Sequence, residues 1–238
     1  RAAQARGARE AAGNPPIAVL ASSREGEERG LLEALNAAAH NSDAVQWLIV
    51  PRHPQRFDDV AALIEHHGWR CLRRSQWRAD APPAAQAPKT IWLGDSMGEM
   101  SYYFALSEVA LLGGSFEPLG GQNLIEACAA GCPVIMGPST FNFDEPARTA
   151  LDEGAALRVS DLNAAVQQAL RWCTNQRSER KAASQAALVF CDAHHGAAQR
   201  TALAVAQQLQ RLGALGRWRH SALQDREGAG HHGDQIGR

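Results

Sequence analysis

Three turns in this sequence carry the residue types that chemistry at a phosphate or a sugar requires. SSREGEE (22–28), GDSMGEM (94–100) and GGSFEPLGGQNLIEA (113–127) each overlap the end of, or follow, a short apolar run. Glycines crowd the last two: Gly94, Gly98, Gly113, Gly114, Gly120 and Gly121. Glycine lacks a Cβ, so backbone amides there can come close to a ligand. A helix start with open amides also attracts a phosphate. Each turn further holds a Ser or Asn with a Glu three residues on: Ser22 with Glu25, Ser96 with Glu99, Asn123 with Glu126. That is the capping-box spacing, and capping alone would account for it. The alternative is that the Glu accepts hydrogen bonds from two neighbouring sugar hydroxyls, as acidic residues do for ribose. Glu27 and Glu28 suit the positive end of a helix dipole, and facing a ligand cleft is the other reading. A fourth segment, PRHPQRF (51–57), supplies Arg52, His53 and Arg56. Arg suits phosphate or carboxylate through its forked donors, and a solvated basic loop is the other reading.

These turns need a scaffold that brings them together, and the hydrophobic pattern supplies one. Apolar runs predict strands over 17–22, 45–51, 69–75, 90–95, 108–115, 133–138 and 156–160. Helical spacing falls between them, over 25–40, 56–68, 98–107, 121–131, 145–155 and 162–173. Strand and helix alternate except across the Pro/Ala loop 79–88, which joins the third strand to the fourth, and this predicts an α/β fold, a Rossmann-like parallel sheet with helices on both faces. Ligands bind such sheets beyond the carboxyl ends of the strands, where the three turns lie. Residues 1–16, ending in Pro15-Pro16, read as a linker or helix remnant. The domain proper runs over 17–212, with 176–212 mainly helical, and 213–238 reads as a flexible tail. His231 and His232 in that tail lack partner ligands for a metal.

Bulk composition narrows the classes. The chain has 238 residues, 45% of them hydrophobic, with 24 basic and 25 acidic residues. That balance argues against nucleic acid as a partner. The five cysteines, Cys71, Cys128, Cys132, Cys173 and Cys191, form no CxxC pair and read as buried or free thiols. No apolar run approaches the ~20 residues of a membrane-spanning helix. Dinucleotide, phosphate-loop, nucleophile-elbow and HExxH fingerprints are all absent.

ASSREGEE, PRHPQRF, GDSMGEM, GGSFEPLGGQNLIEA and MGPSTFNF occur in the same order as in the 3-deoxy-D-manno-octulosonic acid (Kdo) transferases, which this chain resembles from about Ile17 to Cys173. The resemblance implies the C-terminal, donor-binding half of a GT-B glycosyltransferase. It implies CMP contacts at Pro51 and Arg52, at Met97, Gly98 and Glu99, and at Asn123, Leu124, Ile125 and Glu126. Three positions depart from the family's usual residues: Arg24 and Gln122 stand where His is common, and Ala127 where Pro is common.

By the same resemblance, the enzyme transfers Kdo from CMP-Kdo to a lipid A precursor at the cytoplasmic face of the bacterial inner membrane. The catalytic base is a Glu of the N-terminal domain, so no catalytic residue is expected in this chain. No cofactor is expected, nor a metal, since no Asp-x-Asp motif is present. The expected partners are the donor, the lipid acceptor, the N-terminal domain and, through the full-length protein, the membrane surface. A different GT-B enzyme using a UDP- or GDP-sugar and a noncatalytic nucleotide-binding module are the alternatives.

Overall fold

The computed structural model describes residues 2–77, 83 and 88–193. Seven strands form one wholly parallel sheet in the order β3-β4-β2-β1-β5-β6-β7. They are β1 (Ile17–Ser23), β2 (Gln46–Pro51), β3 (Arg70–Arg73), β4 (Thr90–Leu93), β5 (Val109–Leu112), β6 (Val134–Met136) and β7 (Ala156–Arg158). The helices are α1 (Ala2–Ala11), α2 (Glu27–Ala38), α3 (Phe57–His66), α4 (Met100–Leu106), α5 (Ile125–Ala129), α6 (Asp144–Asp152) and α7 (Leu162–Cys173). A further helical stretch covers 177–193.

Both faces of the five inner strands are buried, which is why these read as apolar runs, while the edge strands β3 and β7 are partly exposed. Along β1, Ala18 and Leu20 join one core with Leu31, Leu35, Ile64 and Val166. Ile17, Val19 and Ala21 point into the other, with Phe104, Leu124, Ala147 and Phe190. β2 divides likewise, Trp47 and Ile49 against Leu48 and Val50. Parallel strands joined by helices put every β-to-α loop on the same edge. At the opposite edge, Glu108 is buried and accepts a bond from the Ile17 amide at 2.5 Å.

The alternation of elements matches the sequence expectation, and the differences lie at the ends. The three Ser/Asn–Glu pairs form no capping box. α2 begins at Glu27 behind Gly26, beyond both Ser22 and Glu25. Ser96 bonds the carboxylate of Glu99, not a helix amide. Asn123 Oδ1 accepts from the Ile125 amide at 3.0 Å, a two-residue turn without a return bond from Glu126. The expected tail, with His231 and His232, lies outside the described residues, as does the span 194–212 of the expected helical segment.

Candidate functional site

From β1 the chain steps outward to β2 and beyond, then begins β5 on the other flank of β1. Loops leaving β1 and β5 therefore diverge, the arrangement that opens a ligand crevice at the carboxyl edge. Two buried carboxylates hold this edge in shape. Glu27 accepts from the amides of Arg24 (2.8 Å), Gly114 (2.8 Å) and Phe116 (3.1 Å), tying the β1 loop to the β5 loop. Burial pushes its carboxyl above the usual range, and the three amides offset that only in part. Glu28 takes a forked pair of bonds from Arg56, at 2.8 and 2.9 Å, and one from the Ser23 hydroxyl at 2.6 Å. Both glutamates are fully buried. Their charges are consumed as internal clamps, not displayed at a helix start. Arg56 is correspondingly neutralised, so of the basic loop Arg52 and His53 remain exposed.

Glycine is required where the two loops touch. A Cβ on Gly113 would stand 2.4 Å from the carbonyl oxygen of Ala21, a backbone atom that cannot move aside. The amide of Arg52 reaches the Ser23 carbonyl at 3.0 Å, so the β2 loop joins the same assembly.

Of the nine expected contact residues, Pro51 ends β2, Ile125 and Glu126 begin α5, and the rest sit on the loops after β2, β4 and β5, strands that lie within a four-strand span of the sheet. Arg52, Asn123 and Glu126 are exposed, Met97 is 68% exposed, and Gly98 holds a left-handed φ of 76°. The Glu126 carbonyl accepts from the Ala130 amide at 3.3 Å, but its carboxylate makes no hydrogen bond among the described residues, which leaves it open to a ligand. Pro51 and Leu124 have buried side chains, so only their backbone can meet one. Ile125 is partly buried beside the second core. Glu99 is already engaged by Arg74 at 2.9 Å, by Tyr103 at 3.3 Å and by Ser96. Its carboxyl is held below the usual range: burial raises it, but the bonds from Ser96 and Arg74 outweigh that.

Sequence reasoning missed the clamp role of Glu27 and Glu28 and the Arg74–Glu99 pair. The adjacent Glu27-Glu28 behind a glycine was the available signal, but a helix start explains it equally well. All five cysteines are free, and burial pushes Cys71 up to about 11 and Cys128 and Cys173 up to about 12. Such thiols stay protonated and inert at neutral pH. No described helix is long and apolar enough to cross a membrane.

A parallel, doubly covered sheet with open, glycine-rich loops on its carboxyl edge defines a Rossmann-like domain. Known proteins agree. No family model matches the chain. The 3-deoxy-D-manno-octulosonic acid transferase of Bordetella pertussis is 47% identical over 189 residues, covering 78% of this chain and 43% of the relative. The enzyme of the same name from Haemophilus influenzae is 32% identical over 185 residues, 78% of this chain and 42% of the relative. The crystal structure of the C-terminal CMP-Kdo binding domain of WaaA from Acinetobacter baumannii superposes with a TM-score of 0.67 at 30% identity, covering 78% of this chain and 95% of that domain. HepE from Anabaena, solved with UDP-glucose, shares the fold alone, at TM-score 0.52 and 14% identity. The chain belongs to the Kdo transferase family, and it spans less than half the length of the two curated relatives described here.

Proposed function

We propose that this chain is the donor-binding half of an enzyme that transfers Kdo from CMP-Kdo to a lipid A precursor in lipopolysaccharide synthesis. The observation that carries this reading is the gathering of Arg52, Gly98, Asn123 and Glu126 on loops of one carboxyl edge, with Arg52, Asn123 and Glu126 exposed. Arg52 and the amides near Gly98 and Asn123 meet the phosphate, and Glu126 accepts from the ribose hydroxyls. Met97, the backbone of Pro51 and Leu124, and Ile125 complete the cradle.

Displacement at the anomeric carbon of Kdo releases CMP, so negative charge grows on the phosphate as the bond breaks. Fixed donors aimed at that charge stabilise the transition state. In this reading Arg52 and the open amides supply the countercharge that a divalent ion supplies elsewhere, and donor binding is metal-independent. The base for the acceptor hydroxyl is a Glu of the N-terminal domain, and the complete enzyme works at the cytoplasmic face of the inner membrane.

Calorimetric titration of the 238-residue chain with CMP, UDP and GDP, with and without a chelator, tests the proposal. CMP binds, UDP and GDP bind at least tenfold more weakly, and the chelator changes nothing. Preference for UDP or GDP would assign a different GT-B donor. Robust Kdo transfer by this chain alone would overturn the division of labour.

A further inference from the structure

Beside the proposed cradle lies a second feature that the nine contact residues do not include. A hollow of about 550 Å³ opens over the carboxyl ends of β5, β6 and β7, lined by Phe116, Glu117, Pro118, Phe141, Asp144 and Arg158 among others. Its volume falls in the range of small-molecule sites, roughly 300–1,000 Å³. It is continuous with the glycine-rich loop. The Gly120 amide donates to Ser139 Oγ at 3.0 Å, the Asn142 amide to the Gly120 carbonyl at 3.0 Å, and Asn142 Nδ2 to the Leu119 carbonyl at 2.9 Å. A Cβ on Gly120 would stand 2.5 Å from Asn142 Nδ2, so the two loops are in close contact.

The lining has an unusual balance. Phe141 presents a ring that is 67% exposed. Arg158 donates to Thr140 Oγ1 at 2.8 Å, and more weakly to the Pro138 carbonyl at 3.5 Å and to Met136 Sδ at 3.9 Å. Its Nε has no protein partner among the described residues. Glu117 and Asp144 line the same hollow, yet neither forms an ion pair with Arg158 among the described residues. A cation hydrogen-bonded but without a carboxylate partner among the described residues, two separate carboxylates and an apolar wall together match a polyhydroxylated acid. A guanidinium binds a carboxylate through paired donors. Carboxylates accept from hydroxyls, and a ring covers a sugar's C–H face.

We propose that this hollow seats the acidic sugar of the activated donor, with Arg158 holding its carboxylate, Glu117 and Asp144 its hydroxyls, and Phe141 one apolar face. This rests on the donor reading above. It makes Arg158 and Phe141 determinants of sugar specificity, distinct from the residues that hold the nucleotide.

The test compares CMP with CMP-Kdo, titrated into wild type, Arg158→Gln and Phe141→Ala. Wild type binds CMP-Kdo about tenfold more tightly than CMP, roughly 1.4 kcal/mol. Arg158→Gln erases that margin and Phe141→Ala narrows it, while CMP affinity holds within about twofold, the expected scatter for a residue outside the nucleotide's reach. The Phe141 ring is mostly solvent-exposed, so this second variant folds and keeps the test decisive. An unchanged margin in both variants overturns the proposal. Failure of wild type to bind CMP, with Arg158-dependent binding of CMP-Kdo retained, contradicts the nucleotide cradle alone. Failure to bind either ligand contradicts both.

Discussion

Glu126 and Glu28 are both helix-start glutamates, yet they do opposite things. Glu126 is exposed and its carboxylate makes no hydrogen bond among the described residues, so in the proposed cradle its removal touches a ligand before it touches the fold. Glu126→Ala is expected to weaken CMP binding about tenfold, the effect of losing a hydrogen bond to a charged group, with an unchanged melting temperature. Equal affinity with a lower melting temperature would restore the capping role. Glu28 is buried and takes both Arg56 bonds. Arg56→Leu strands that carboxylate and is expected to lower stability by about 3 kcal/mol in urea denaturation. Gly113→Ala drives a Cβ into the Ala21 carbonyl and is expected to abolish soluble folded protein. The sequence displays none of this division. Three Ser/Asn–Glu pairs share one spacing, and only the inward turn at Gly26, with φ 94°, decides that Glu27 and Glu28 face the interior.

Elements were the legible level. Strands buried on both faces must be continuously apolar, and helices must show a periodic stripe, so their alternation is written plainly from Ile17 to Cys173. Lateral order was not: β4 lies between β2 and β3, a choice made by long-range packing such as Trp92 between its neighbours. Helix ends were also hidden, because caps depend on backbone angles. Asp161 is a true N-cap, accepting from the Ala164 amide at 2.8 Å. That bond holds its carboxyl below the usual range. Asp161→Ala is expected to cost about 1 kcal/mol. A depressed folded value means the contribution is complete above the unfolded value of about 4. It fades as pH falls through the folded value, so wild type and variant stabilities converge in acid melts.

At the scale of the whole molecule, the sheet acts as a ruler. Its parallel order sets loops from distant sequence positions on one edge, Glu27 and Glu28 lock their spacing, and the open side chains face outward. The candidate site was read from the order of motifs more than from any one of them, since GGxN or NxxE alone is a common turn. The hollow at Arg158 escaped that reading although GGSFEPLGGQNLIEA and MGPSTFNF supply most of its lining, because Asp144 and Arg158 lie outside both motifs and only the fold brings them alongside. A crystal structure of this chain soaked in excess CMP tests the central claim most directly. The nucleotide is expected along the carboxyl edge, its phosphate at Arg52 and the amides near Asn123, its ribose on Glu126. An empty edge, with CMP elsewhere or nowhere, would contradict it.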